Sequence, residues 1–451
     1  MNDRAGIPYG YTPEKSTFPV YLENRHLLTF GPTRSGKGAT VIIPALLQIP
    51  HSVVCIDPKG QNAAVTARRR RDMGQEVYFL NPFNEHGLGT ARFNPLAHLH
   101  INQPNIVADV ASLVEALIYA DGKETHWTDS ARTLIRAIIL HLIDKHGGAA
   151  TLPEMRRLLC LPLTIPFGES FTDVVAEMLL SQWPFIRQAA GRFAETGSRE
   201  IASIVSTAIT QTDFLDDPAI AHVLSGHDFT LAQLKDRPTS VYLILPSRYL
   251  DAYNRFFRLI ITSAIDQVTS RPGGHPVLLI LDEFATLQNL AAVSKAFGFA
   301  AGYNVQLWPF LQDIPQLKAI YGERWESFLA NAGLVQFFTP ADMTTADYIQ
   351  RRAGSRTTTK MTTTHNNVSF QKAAQGHSDG STSYSEQREP LLPPELTMKI
   401  HPESQIVFFG GIQGPHFARR WMYTHIPRLN GLWDADPFHT PPQLAPAPRG
   451  N

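Results

Sequence analysis

The sequence has no excess of charge of either sign: 40 Lys and Arg stand against 40 Asp and Glu in 451 residues. That balance excludes a protein that coats DNA with its whole surface, because such binding needs surplus cations to neutralise phosphates. A local basic track stays open. Cysteine is nearly absent, and Cys55 and Cys160 are too few for a disulfide framework. Cys55 lies in the apolar run Val53-Val54-Cys55-Ile56 and reads as a small buried hydrophobe in a reducing compartment. Long hydrophobic runs are missing too. A membrane-spanning helix needs roughly 18 or more apolar residues; Val277 to Leu281 is too short, and Leu134 to Ile143 is broken by Arg136 and His141. The start, Met1-Asn2-Asp3-Arg4, lacks the apolar stretch of a signal peptide. The 17 histidines show no metal-ligand spacing, so no zinc site is expected. These absences predict a soluble cytoplasmic chain.

What is present is globular. Hydrophobic residues make up 43% and charged residues 18%, which excludes a mainly disordered chain. At about 150 residues per domain the length allows up to three domains. Short apolar runs recur at His26 to Phe30, Val53 to Asp57, Val77 to Asn81, Ser240 to Pro246, Val277 to Asp282, Asn304 to Trp308, Leu334 to Phe338 and Gln405 to Phe409. Several are continuous in Val, Ile, Leu and Phe without alternation, the pattern of strands buried on both faces of a parallel sheet. The fold class is therefore α/β with a mostly parallel central sheet.

One interval breaks that rhythm. Between about His98 and Arg237 the apolar spacing is helical, clearest in Ile106 to Ile118 and Ser130 to Leu142. A crossover needs only a dozen or so residues, so this interval reads as an all-α domain inserted between two strands. A second shift covers Thr357 to Gln387, dominated by Thr, Ser, Gly, Gln, Asn and His. It is too polar for a core of its own and reads as a long mobile loop. Thr440 to Asn451 is a Pro-rich tail.

The chemistry concentrates in two segments. Gly31-Pro32-Thr33-Arg34-Ser35-Gly36-Lys37 follows a strand and precedes a helical pattern starting near Gly38-Ala39. That is the context of a phosphate-binding loop, in which backbone N–H groups curl around a polyphosphate. The helix N-terminus behind the loop adds a favourable partial charge, and Lys37 reaches the β- and γ-phosphates. The residue after the lysine is usually Ser or Thr, a Mg²⁺ ligand; here it is Gly38. The metal must then be held by water and carboxylates elsewhere, or by Thr40. In the second segment, Val277 to Leu281 form a strand ending in Asp282-Glu283. Asp282 is placed to hold Mg²⁺ through water, and Glu283 to orient and deprotonate the attacking water. Ligands of open α/β sheets bind beyond the carboxyl ends of strands, where both segments finish.

Weaker signals surround these. Gln312 follows the Asn304 to Trp308 strand and is either a γ-phosphate sensor or a surface residue on a helix. Asp57, in Asp57-Pro58-Lys59-Gly60, either joins the metal shell or caps the next helix. The dense run Arg68 to Arg71 is either a solvated helix face or a nucleic-acid track. Arg351, Arg352 and Arg356 are candidates for a finger that reaches a neighbour's nucleotide.

Taken in order, these motifs resemble the TraG-like ATPases, the coupling proteins of type IV secretion and bacterial conjugation. The resemblance runs from about Asn24 to Leu429. It includes Asn81-Pro82-Phe83, Phe93-Asn94-Pro95-Leu96, Trp127-Thr128-Asp129-Ser130-Ala131-Arg132, Asp282-Glu283-Phe284, Gln312 with Gln316, and Pro390-Leu391-Leu392-Pro393-Pro394-Glu395-Leu396. It implies a RecA-like P-loop NTPase split into residues 1–97 and 238–439 by an all-α domain at 98–237, with the polar loop at about 357–387 and the tail at 440–451. It further implies ATP and Mg²⁺ as cofactors and a homo-hexamer with nucleotide between subunits. The substrate would be DNA, a relaxase or an effector protein, passed to a type IV secretion channel at the cytoplasmic face of the bacterial inner membrane. Gly after the loop lysine is familiar in the family, whereas Gln61 stands where an acidic residue is common. Typical members also carry N-terminal transmembrane helices. Their absence here implies either a trimmed chain or docking through a separate membrane-anchoring protein. Two other functions fit the same residues: a DNA pump of the FtsK type, and a receptor-adaptor that binds nucleotide but hydrolyses it poorly.

Overall fold

The computed structural model describes residues 6–119, 125–165, 168–195, 198–365, 380–412 and 414–439. Two short strands, β1 (Ile7–Pro8) and β2 (Val20–Tyr21), pair with each other ahead of the main sheet. The main sheet is formed by β3 (His26–Phe30), β4 (Ser52–Ile56), β5 (Glu76–Leu80), β6 (Thr239–Leu243), β7 (Val277–Leu281), β8 (Val305–Leu311), β9 (Ala332–Phe337), β12 (Ser404–Phe409) and β13 (His416–Arg419). Between β9 and β12 the chain forms a separate ribbon of β10 (Ser355–His365) and β11 (Gly380–Pro390).

The sheet order is β13-β12-β9-β3-β8-β7-β4-β6-β5. Every pairing from β9 to β5 is parallel, and only β12 and β13 are antiparallel. Burial explains the unbroken apolar runs. Leu28, Phe30, Val54 and Ile56 face one core, while Leu27, Val53 and Cys55 face another on the opposite side. With both faces covered, successive side chains are apolar whichever way they point.

A helix follows β3. Its first turn, Gly38–Ile42, is π-wound and continues as α1 (Ile43–Leu46). Pro44 supplies the reason, since it has no N–H for the i−4 carbonyl and a regular ladder cannot pass through it. After β4 comes α2 (Gln61–Asp72).

Between β5 and β6 the chain is helical: α3 (Ile106–Leu117), α4 (Thr125–His146), α5 (Leu152–Leu159), α6 (Phe171–Leu179), α7 (Pro184–Glu195), α8 (Ser198–Gln211) and α9 (Pro218–Leu224). Ser170 and Asp173 close a reciprocal capping box on α6, and Asp217 caps α9 through Ala219 and Ile220. Core residues of this bundle, among them Leu134, Ile138 and Phe193, belong to the same continuous core as Leu28 and Ile56 of the sheet. After β6, α10 (Asn254–Val268) packs against α3, where Ser112 Oγ donates to Asp266 Oδ2 at 2.8 Å. The buried Arg258 on α10 donates to the Ala116 carbonyl of α3 and to the Leu287 and Asn289 carbonyls beyond β7. The remaining helices are α11 (Ala291–Phe299), α12 (Ile314–Tyr321), α13 (Trp325–Asn331) and α14 (Met343–Ala353).

Two expectations need correction. The polar stretch 357–387 is not a loop where the structure describes it, because Ser355 to His365 pair in antiparallel register with Pro390 to Gly380. Residues 366–379, like the tail at 440–451, lie outside the described residues. The ribbon was invisible to the hydropathy pattern because its described side chains from 357 to 362 and 383 to 388 are almost all exposed, so no apolar face marks it. The second correction is β8, expected to stop at Trp308 but running on through Pro309 to Leu311. Proline in a central strand normally argues against one. Here Leu281 pairs with Pro309, and Thr29 and Phe30 with Phe310 and Leu311, carrying the strand to the sheet edge.

Candidate functional site

The phosphate loop is stretched between β3 and the π-wound turn. Gly31 N–H donates to the Leu311 carbonyl at 2.9 Å, which ties the loop's start to the end of β8. A Cβ on Gly31 would sit 2.6 Å from the Phe338 ring and 2.8 Å from Ser35 Oγ, so only glycine fits. Arg34 and Gly36 are left-handed (φ 60° and 83°), which reverses successive peptide planes and rounds the loop. Thr33 and Arg34 are exposed, while Lys37 is buried at 8% exposure. Its ammonium donates to the carbonyls of Gly31 (2.8 Å) and Pro32 (3.4 Å), folded back across its own loop. Ser35 Oγ is buried and has no hydrogen-bond partner among the described residues.

Sheet order places the second group of residues. β8 lies between the strand that feeds the phosphate loop and β7, which ends at Asp282-Glu283. Gln312, one residue past β8, thus stands between the two and next to Gly31. Its own N–H donates to Gln316 Oε1 at 2.9 Å, and Asp313 caps α12. Gln312 is therefore not on a helix. Glu283 is left-handed (φ 48°), a costly backbone for a residue with a Cβ. Its N–H donates to Asp282 Oδ1 at 3.0 Å.

The electrostatics centre on Asp282. Its carboxyl is pushed up to about 7, chiefly by withdrawal from water. Glu283 and Asp57 raise it further, and Lys37 acts in the opposite sense. Asp57, at the end of β4, is pushed up to about 6 by burial, although its Oδ2 accepts from Ala63 N–H at 2.8 Å. Of its two open roles, the helix-capping one is therefore made. A cluster of two desolvated carboxyls and one ammonium favours a further cation, and an unpaired hydroxyl beside a curled loop favours ligand oxygens. Magnesium and a nucleotide polyphosphate both fit this donor set. Thr40 does not look toward that cluster. Its Oγ1 donates to the Gly36 carbonyl at 2.8 Å and lies 3.3 Å from the Arg420 guanidinium, a poor place for a second cation.

Several basic residues have structural positions. Arg68 pairs with Asp434 (2.6 Å) and Asp72 (3.2 Å). Arg69 donates to the Leu47 carbonyl, and Arg71 lies over the Phe79 ring. Arg70 is fully buried and donates to Ser240 and to the carbonyls of Leu46, Ile49 and His51. The run is a staple between α2, the end of α1 and the sheet rather than a free cationic track. Arg351 and Arg352 end α14, where the Arg352 guanidinium lies over Phe408, and Arg356 is in β10.

Two residues, one at the loop and one at the start of α2, carried no sequence signal. Arg420 reaches the phosphate loop from just beyond β13, and Asp436 follows the segment whose Tyr423, Ile426 and Leu429 pack on Ile43, Leu47 and Val65. Asp436 accepts from Gln61 Nε2 and Tyr423 Oη, each at 2.8 Å. The departure at Gln61 thus has a partner, an acid that an acid at position 61 would repel.

Comparison with known proteins adds a lineage to this geometry. A family model described as Type IV secretory system Conjugative DNA transfer matches residues 9–430. The conjugal transfer protein TraG of Escherichia coli is 30% identical over 421 residues, covering 88% of this chain and 65% of that protein. Protein VirD4 of Rhizobium radiobacter is 28% identical over 443 residues, covering 95% and 62%. The chain therefore spans 65% or less of the length of these relatives. Among solved structures, the bacterial conjugative coupling protein TrwBΔN70 in its unbound form superposes with a TM-score of 0.65 at 17% identity, covering 94% of this chain and 90% of that one. The plasmid coupling protein TrwB in complex with ADP and Mg²⁺ gives 0.62 at 17% identity, covering 94% and 91%. The shared architecture is a RecA-like α/β fold with a mostly parallel nine-stranded sheet. Among the described residues, no helix is long and apolar enough to cross a membrane.

Proposed function

Because the chain belongs to the type IV secretory system conjugative DNA transfer family, we propose that it is an ATP-hydrolysing coupling protein that drives DNA or protein substrates into a secretion or conjugation channel. The observation that carries this reading is the sheet order, which sets the phosphate loop, Gln312 and the Asp282-Glu283 pair side by side at one edge.

In this reading the backbone of Gly31 to Ala39 cradles the phosphates, with Lys37 leaving its own carbonyls for the β- and γ-phosphate oxygens. Magnesium, when bound, neutralises charge building on the β- and γ-phosphate oxygens. Asp282 would hold it, and burial of that carboxyl makes a divalent partner favourable. Glu283 takes a proton from water as the water oxygen bonds to the γ-phosphorus and the bond to the ADP oxygen breaks. Gln312, on the backbone that also anchors Gly31, reports the presence of the γ-phosphate. The helices between β5 and β6 form a substrate-engaging domain, and Arg258 joins them to the segment beyond Glu283.

The working unit is a ring of about six copies at the cytoplasmic face of the inner membrane, with nucleotide between subunits and with the channel or a separate anchoring protein as membrane partner. TrwB in complex with ADP and Mg²⁺ supports the nucleotide and metal assignment. The test is transfer of a mobilisable substrate in cells whose own copy is replaced by Lys37→Ala or Glu283→Gln. Transfer falling to background in both agrees with the reading; undiminished transfer overturns it and favours a passive adaptor.

A further inference from the structure

Arg420 occupies an unusual position for an arginine. It is 4% exposed, and among the described residues no carboxylate lies within ion-pair distance of it, Glu403 acting on it only from farther off. Its guanidinium stacks 3.7 Å from the centroid of the Phe338 ring. Its N–H groups go to backbone carbonyls: Ser35 at 2.7 Å, Ser404 at 3.4 Å, and Pro402. One of these, Ser35, belongs to the phosphate loop.

A trans peptide points its C=O and the next residue's N–H in opposite directions. By holding the Ser35 carbonyl from behind, Arg420 turns the Gly36 N–H toward the other side of the loop. Thr40 repeats the arrangement one residue later. Its N–H (2.9 Å) and Oγ1 (2.8 Å) both hold the Gly36 carbonyl, which turns the Lys37 N–H the same way, and Arg420 Nη1 lies 3.3 Å from that hydroxyl. The other end of the loop meets the ring on which Arg420 rests. Phe338 abuts Gly31, and its own N–H bonds to the Phe30 carbonyl at 2.9 Å. Chain segments more than 300 residues apart in sequence thus clamp both ends of one loop.

We propose that Arg420, seated on Phe338, is a positioning residue that pre-sets the phosphate loop for nucleotide by fixing the Ser35–Gly36 peptide. The inference rests on the nucleotide-binding reading of Lys37 and its loop. Without the clamp that peptide is free to turn, and ordering it again is charged to every binding event. The loss is common to bound substrate and transition state, so it falls on KM and leaves kcat nearly unchanged.

The test is the affinity of the full chain for a fluorescent ATP analogue with Mg²⁺, and the KM and kcat of ATP hydrolysis. The variants are Arg420→Ala, Arg420→Lys and Phe338→Leu, with Arg156→Lys, a buried arginine of the helical bundle, as a stability control. Expected are an approximately tenfold or greater loss of affinity in Arg420→Ala and smaller losses in Arg420→Lys, which keeps one donor but not the planar fork, and in Phe338→Leu. The control should lose thermal stability without losing affinity. If Arg420→Ala does not fold, the two milder variants decide. Affinities within twofold of wild type in both overturn the clamp. A wild-type chain that binds no nucleotide overturns the reading beneath it, and the clamp with it.

Discussion

Arg70 distinguishes a structural staple from a nucleic-acid track. Arg70→Met keeps much of the side chain's volume and removes all its donors. The carbonyls of Leu46 and Ile49 then lose their partner inside the fold, while the His51 carbonyl and Ser240 Oγ each lose one of two. A buried acceptor left unpaired costs about 1–3 kcal/mol. Ser240 can still donate to Gln75 Oε1 and the His51 carbonyl still accepts from Gln75 Nε2 at 3.2 Å, so two orphaned carbonyls set the loss. Part of it is offset because a buried charge no longer has to be desolvated, burial that already draws the Arg70 guanidinium down to about 10. The expected net loss is about 2 kcal/mol, a sizeable share of the roughly 5–15 kcal/mol typical of a folded domain. Urea denaturation followed by circular dichroism measures it. Fluorescence anisotropy with a labelled duplex gives the other arm, where little change is expected. A loss below about 1 kcal/mol together with a tenfold fall in DNA affinity refutes the staple.

Other perturbations follow from the same geometry. Gly31→Ala drives a methyl into Phe338 and Ser35, and a loss of about 1–3 kcal/mol by thermal melting is expected, with weakened nucleotide binding. Gln61→Glu sets a carboxylate against Asp436 and should destabilise by about 1–3 kcal/mol; adding Asp436→Asn should restore part of that, and a double-mutant cycle without coupling contradicts the pairing. Asp57 and Asp282 both have raised folded-state values, about 6 and about 7 against 3.8. The nucleotide-free fold then holds more protons than the unfolded chain between about pH 4 and 7, so stability contributed by these groups falls as pH rises through that window. Asp57→Asn should flatten this dependence, and melting temperatures across the range measure it.

Much of this architecture was legible because parallel strands buried on both faces announce themselves. All eight apolar runs coincide with strands of the main sheet. The phosphate loop and the acidic strand end were legible because their chemistry is contiguous in sequence. What escaped was of three kinds. The β10–β11 ribbon has no buried face, and only its threonines, favourable in strands, hinted at extension. β8 was cut short at Pro309 by a rule that this central strand breaks. Arg420 and Asp436 act on the loop and on Gln61 across more than 370 residues. No local pattern marks such a residue, since its role is defined only by what the fold brings beside it. The run Arg68 to Arg71 shows the reverse: a vivid local pattern whose meaning is settled by its acceptors.

The most direct test of the central claim is phosphate release by the purified chain with ATP and Mg²⁺, compared among wild type, Lys37→Ala and Glu283→Gln. The account predicts turnover in the wild type and none in either variant. It also predicts that Glu283→Gln still binds the nucleotide, because Glu283 acts on the water and not on the phosphates. Undiminished phosphate release by Glu283→Gln, or a wild type that binds ATP and never turns it over, would contradict it.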